Sequence, residues 1–240
     1  MASDTRAGRD VFLTPVERRR RNRAEVTEAI LAAARATMRA QGVGALNLQV
    51  VARRVGMRAP SLYEYFPNKM AIYDALFLRG TRLFGDYMDR ATAHAPPDDP
   101  LAAFQGAMGA YMAFAVDHPD LYHLVFERPV PGFAPSPATM EVSSGVLGQA
   151  VRAIAAAEEA GAIAPALPPA QAFDLLNAMM HGLTALHMAN EPDRPAGTGR
   201  FGALIPAAIA LFRRAWDPAH TETAARGVPH EGVPPPGDDT

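Results

Sequence analysis

Apolar residues recur at intervals of three and four along most of the chain, a spacing that predicts helices and no strands. Val26, Ile30, Ala34 and Met38 step by four along the buried face of a first helix, expected from Pro15 to Ala40 or Gln41. It opens on Thr14-Pro15-Val16-Glu17, a capping-box signature with proline at the first helical position. Gly42 and Gly44 then break the chain. Leu48, Val51, Ala52 and Val55 fall at i, i+3, i+4 and i+7, which predicts a short helix with Asn47 as its N-cap and Gly56 ending it. Pro60 marks the start of a second short helix in which only Leu62 and Phe66 have the spacing to face inward. Its outer face carries Ala59, Pro60, Ser61, Tyr63, Glu64 and Tyr65.

Downstream, Ile72, Leu76, Leu83 and Tyr87 line a helix expected over 68–93, and AHAPPDDP (93–100) is a loop. Helices follow at 100–117 and from Pro119 to Glu127, then the proline-rich connector RPVPGFAPSP (128–137). A helix over 138–160 would turn Met140, Val146, Leu147, Val151 and Ile154 inward. Another runs over 169–189, and the last over 200–216, where Pro206 predicts a kink or a later start. The expected fold class is all-α, about nine helices, with a small N-terminal helix-turn-helix head and a larger helical body. Residues 1–14 read as a disordered arm, 15–70 as the head, 71–216 as the body and 217–240 as a disordered tail.

Charge adds a polarity to this plan. Residues 1–90 hold sixteen Arg and Lys against nine Asp and Glu, a net +7, so a chain of net −2 carries −9 on the remainder. A basic head on an acidic body points to a polyanion for the head alone. Arg18, Arg19, Arg20, Arg21 and Arg23 crowd the first turns of helix one, where cations oppose the helix dipole and one another. Folding does not favour that placement, whereas contact with phosphates does. Lys69 again puts a cation at a helix start. Two tyrosines within three positions of an exposed helix face also suit phosphate oxygens better than a merely solvated surface.

Other chemistries find little support. The chain has no cysteine, so neither a disulfide framework nor a thiolate site is possible. The seven histidines show no metal-ligand spacing; His181 and His187 are six apart on one helix and diverge. Gly42-x-Gly44 lacks the glycine or lysine of a phosphate loop. No enzyme activity and no cofactor are expected. The longest apolar stretches, near 172–188 and 201–212, are too short or interrupted for a membrane span, and no apolar segment of a signal peptide follows the first arginines. A cytoplasmic protein is expected.

The order Ala52-Arg53, Gly56, Ser61-Leu62-Tyr63, Tyr65-Phe66 and Asn68-Lys69 resembles the DNA-binding head of TetR-type (tetracycline-repressor family) transcriptional regulators, over roughly residues 24–75. The resemblance implies that the second helix of the motif enters the major groove of a palindromic double-stranded DNA operator. It places Gln49, Ala59, Pro60 and Tyr63 toward bases, and Ser61, Tyr65 and Lys69 toward phosphates. Asn47 belongs to the same surface. Arg58 stands where such proteins often have a small hydroxyl N-cap, which weakens capping and adds a possible guanine or phosphate contact. Glu64 is unusual on that surface.

For the body, the resemblance implies a homodimer and a small-molecule effector. The helices over 172–188 and 200–216 are apolar nearly all the way round, so each is either central to its own domain or shared with a twofold-related copy. The resemblance favours the second, with Leu176, Met180, Leu183, Ile205, Ile209, Phe212 and Trp216 as candidate interface residues. Candidate effector residues are Phe104, Met108, Tyr111, Tyr122, Phe126, Met140, Met179 and His181, a lining suited to an apolar or aromatic ligand, although such side chains more often build ordinary cores. The rival readings are a small-molecule-binding protein or enzyme retaining the head, and a constitutive DNA-binding protein without effector.

Overall fold

The computed structural model describes residues 14–93, 95–96 and 99–219. They form ten α-helices, and no strand occurs among them. The order is α1 (Pro15–Gln41), a 3-10 turn (Val43–Ala45), α2 (Leu48–Arg54), α3 (Ala59–Leu62), α4 (Lys69–Thr92), α5 (Pro100–Asp117), α6 (Pro119–Phe126), α7 (Pro137–Glu159), α8 (Pro169–Asn190), α9 (Gly199–Gly202) and α10 (Ile205–Ala215). The expected last helix divides at Leu204, because Pro206 occupies the first turn of α10 and lacks the N–H that would continue the earlier one. Almost all of the expected arm and tail lies outside the described residues.

The chain folds as two compact units. One combines residues up to Gly85 with Asp117–Gly145; the other combines Asp86–Val116 with residues from Val146 onward. The first compact unit extends beyond residues 15–70. It takes in most of α4, all of α6 and the start of α7, because α6 has its own buried partners on α1 and α4.

In this first unit α1 begins as its sequence dictates. Thr14 accepts from the Glu17 N–H at 3.3 Å, and Glu17 accepts from the Thr14 N–H at 2.8 Å, closing the capping box. Ile30, Ala34 and Met38 are buried on its inner face, while Val26 is only half-buried. Val51, Ala52, Leu62, Ile72, Tyr73 and Leu76 are buried in the same unit, aliphatic and aromatic groups that build its core. Tyr73 satisfies its buried hydroxyl by donating to the Val43 carbonyl at 2.7 Å, which fixes the turn after α1 to α4. Gly80 lets α6 approach α4 closely: a Cβ there would lie 2.9 Å from Val125 Cγ2. The connector before α7 is tied down as well. Asp74 accepts from the Ser136 N–H at 2.7 Å and from the Ser136 and Thr139 hydroxyls, and Phe133 packs on Tyr73 and Phe77.

The second unit is built on Leu101, Met108 and Met112 of α5, Ile154 of α7, Leu176 of α8, and Ile205, Ile209 and Phe212 of α10, with Trp216 just beyond. Phe212 and Trp216 stack with ring centroids 4.9 Å apart, and the Trp216 carbonyl accepts from the Ala164 N–H at 2.8 Å. Arg213 pairs with Asp99 at 2.9 Å, holding the start of α5 to the end of α10 and keeping the Asp99 carboxyl below its usual range. On α7 the expected inward row is only partly realised. Ile154 is buried, but Met140 and Leu147 face outward at 38% and 39% exposure, and Thr139 and Ala157 take buried places instead.

Candidate nucleic-acid interface

The helix-turn-helix is assembled by capping and by two inward residues. Asn47 accepts from the Gln49 N–H at 2.8 Å and the Val50 N–H at 3.4 Å, so its side-chain oxygen holds the start of α2. Gly56, at φ 70°, ends α2 in a backbone conformation that a side chain would strain. Arg58 flanks α3 without a side-chain cap bond, as its missing short hydroxyl implies. Leu62 and Phe66 are the buried anchors, at 1% and 8% exposure.

The recognition segment is shorter as α-helix than the sequence suggests. Only Ala59–Leu62 is α-helical; beyond it the coil tightens, with Tyr63, Glu64 and Tyr65 donating to the carbonyls of Pro60, Ser61 and Leu62 three residues back. The Phe66 N–H returns to Leu62 at 2.9 Å and closes the segment. Gln49, Arg58, Pro60, Tyr63 and Glu64 are exposed, with Tyr63 reaching 56%, while Ala59, Ser61 and Tyr65 are half-buried. Lys69 begins the next helix with its ammonium 5.9 Å from the centre of the Tyr73 ring.

Arg18, Arg19 and Arg20 are exposed along the first turns of α1, and Arg21 lies 3.5 Å from Glu25 one turn on. Arg23 also has partners within the chain: its Nη2 donates to the Glu64 carbonyl at 2.7 Å, and the guanidinium lies over the Tyr65 ring at 5.0 Å. A cation at the carbonyl end of the recognition segment is favourable, and these contacts tie α1 to Tyr65. Arg53 and Arg54, absent from the expected contacts, stand exposed in the last turn of α2 beside it. The net +7 of residues 1–90 contained that signal without assigning it.

Sequence reasoning also missed what anchors α1. Asp120, in the first turn of α6 and buried, accepts from Arg35 Nε at 2.6 Å, Arg35 Nη2 at 3.1 Å and Arg39 Nε at 2.9 Å. Arg39 also donates to the Asp117 carbonyl at 3.4 Å, and Arg35 approaches His118 Nδ1 at 3.4 Å. The available clues were the i, i+4 arginines and an acid following a helix-opening proline.

The eight effector candidates divide between the units. Phe104, Met108 and Met179 pack together on the apolar cluster of the second unit, where Tyr111, 1% exposed, has its hydroxyl 2.9 Å from His181 Nδ1. Tyr122 and Phe126 belong to the first unit, with rings 5.7 Å apart, and Phe126 meets Phe84 edge-on. Met140 is 38% exposed. An open groove of about 450 Å³ lies between the last turns of α4 and the middle of α5, lined by Tyr87, Arg90, Ala91, Gly106, Gly109, Ala110 and Ala113. None of the eight lines it.

Of the interface candidates, Leu176, Ile205, Ile209, Phe212 and Trp216 are 2–6% exposed within the single chain, and Met180 and Leu183 pack half-buried on the same core. The outward apolar residues of these helices are others: Leu175 and Leu186 at 47%, Leu204 at 45% and Leu211 at 62%.

Comparison with known proteins agrees with this architecture. Residues 30–76 match the family described as bacterial regulatory proteins, tetR family, and residues 104–217 match the tetracyclin repressor-like C-terminal domain. The chain belongs to the TetR family of bacterial transcriptional regulators. Among solved structures, a protein of unknown function from Rhodococcus sp. RHA1 is 26% identical, with TM-score 0.68 over 80% of this chain and 95% of that one. The regulator FadR from Bacillus subtilis, solved with stearoyl-CoA, is 14% identical with TM-score 0.61 over 78% and 98%. AibR, solved with isovaleryl coenzyme A and operator DNA, is 15% identical with TM-score 0.61 over 78% and 97%. No curated protein sequence matches the chain. No helix among the described residues is long and apolar enough to cross a membrane.

Proposed function

We propose that this protein is a homodimeric repressor that binds a palindromic operator through residues 15–70 and is released by a small, largely apolar or aromatic effector held in residues 71–216. The observation that carries the reading is the surface of α2 and α3. Tyr63 projects from it, Gln49, Ala59 and Pro60 surround it, and Arg23 locks Tyr65 beside it. Exposed amide, methyl and phenol groups can read base edges, while Ser61, Tyr65, Lys69, Arg58 and the arginines of α1 meet phosphates.

A recognition segment of one α-helical turn spans few base pairs, so two copies on successive half-sites are needed for tight binding. The outward leucines of α8 and α10 supply a self-complementary apolar face for that second copy, with Ala178 and Gly182 between Leu175 and Leu186, and Ala207 between Leu204 and Leu211. The aromatic and methionine side chains around Tyr111 and His181 support an effector site, and the acyl-CoA complexes of FadR and AibR are examples of such ligands on this fold. An effector that binds better to a head spacing unmatched to the grooves lowers operator affinity by that difference.

Selection of bound sequences from random DNA, followed by a screen for small molecules that release them, tests the reading. Recovery of an inverted repeat that a small apolar molecule releases supports it. Recovery of no sequence preference contradicts it.

A further inference from the structure

Helical threonines in this protein ordinarily satisfy themselves. Thr37 donates to the Ala33 carbonyl at 2.9 Å, Thr27 to Arg23 at 2.9 Å and Thr92 to Met88 at 3.0 Å, each bonding back to the preceding turn. Thr81 of α4 and Thr184 of α8 do not. Thr184 is 0% exposed, and its Oγ1 has no hydrogen-bond partner among the described residues. Three residues on, His187 is equally buried. Its Nε2 lies 3.2 Å from the Arg194 carbonyl, and a carbonyl only accepts, so Nε2 carries the hydrogen. With the hydrogen on Nε2, the neutral form of the ring has a lone pair at Nδ1, and Nδ1 too has no partner among the described residues.

Positions three apart lie on one side of a helix. Around these two, Met180 and Leu183 pack on the apolar core, and one turn earlier His181 meets the Tyr111 hydroxyl. A buried polar atom without a partner forgoes a bond it made in water, which is why such atoms are rare. Here two of them, an acceptor and a hydroxyl, lie three positions apart on α8, the helix that also carries the effector candidates Met179 and His181.

We infer that Thr184 and His187 form the polar end of the effector site and select a ligand bearing a hydroxyl on an otherwise apolar body. The hydroxyl donates to His187 Nδ1 and accepts from Thr184 Oγ1, so one group satisfies both atoms. A hydrocarbon or ether offers Nδ1 no donor. A carboxylate brings a charge into an apolar surround and meets a lone pair. The inference rests on the effector reading above and adds the ligand's chemistry to it.

The test titrates the full-length protein with 4-ethylphenol, with 4-ethyltoluene, in which a methyl replaces the hydroxyl, and with 4-ethylbenzoate. The phenol is expected to bind about tenfold tighter than the hydrocarbon, the worth of one good buried hydrogen-bonded group. Thr184→Val should remove most of that advantage. In the wild type, the His187 Nδ1 nitrogen resonance should move on addition of the phenol and stay in place with the hydrocarbon. Equal affinity for phenol and hydrocarbon, or an unmoved Nδ1 resonance at saturation, overturns the inference while leaving the effector site standing; the two atoms then hold an ordered water only. Tighter binding of the benzoate overturns the ligand class. Binding of none of the three at millimolar concentration overturns both this inference and the effector reading.

Discussion

Arg35 and Asp120 join α1 to α6 by a two-point ion pair, Nε to Oδ2 at 2.6 Å and Nη2 to Oδ1 at 3.1 Å, with the carboxylate wholly out of contact with water. Arg39 completes the site on the same carboxylate. Removing the acid strands two cations, whereas removing either arginine leaves the other. Asp120→Asn should therefore cost about 3 kcal/mol, near the lower end for breaking a buried pair because both arginines keep some solvent. Arg39→Ala should cost less. Urea unfolding of the two variants at neutral pH gives the comparison.

The same cluster sets a pH dependence. Burial pushes the Asp120 carboxyl up, but the hydrogen bonds and charges of Arg35 and Arg39 outweigh it and hold it below the ordinary 3.8. A depressed acid contributes stability that is complete above its unfolded value and is lost as pH falls through the folded one. His118 is held below its ordinary 6.5, first by burial and then by the charge of Arg35. For a depressed base, stability starts to fall as pH drops below 6.5 and levels off once the folded ring also takes a proton. Stability measured from pH 7 to 3 should decline in two stages. His118→Gln should flatten the upper stage, and Asp120→Asn the lower.

At the DNA surface, the arginines of α1 divide by role. Replacing Arg18, Arg19 and Arg20 by alanine should shrink the slope of log affinity against log salt by about one per lost phosphate contact. Arg23→Ala should weaken binding by loosening Tyr65 and the Glu64 carbonyl, with a smaller change in slope. Fluorescence anisotropy over a salt series separates the two; equal slope changes would mean Arg23 acts as a phosphate contact after all.

Tyr63→Phe combined with Lys69→Ala should lower operator affinity severalfold at fixed salt and leave the oligomeric state intact. Unchanged affinity would remove both from the interface.

For α8 and α10 the prediction contrasts neighbouring residues. Leu211→Glu puts a charge on an outward face, and should abolish dimerisation while the chain stays folded. Phe212→Ala removes a ring from the core of the second unit, and should cost about 3–5 kcal/mol in stability. Sedimentation and thermal unfolding of each variant read the two effects independently.

Sequence reveals what is decided within a few residues. Thr14 and Glu17 announce the start of α1, Asn47 caps α2, and Pro206 delays the final helix, each by chemistry that reaches no further than one turn. The surface of Tyr63 and its neighbours was legible for the same reason, since Leu62 and Phe66 had to turn inward. The Asp120 site was not, because Arg35 and Asp120 are 85 positions apart and only folding shows that they meet. Nor could pattern alone sort Leu211 from Phe212. A helix apolar on every side has no polar face to mark the outside, so the spacing that predicted α10 could not say which leucines its own core would use.

The most direct test of the central claim is sedimentation of the protein with a duplex carrying the selected inverted repeat, against the same bases scrambled. The account predicts a complex of two chains per duplex on the repeat and at least tenfold weaker binding to the scrambled sequence. One chain per duplex, or equal binding to both, would contradict it.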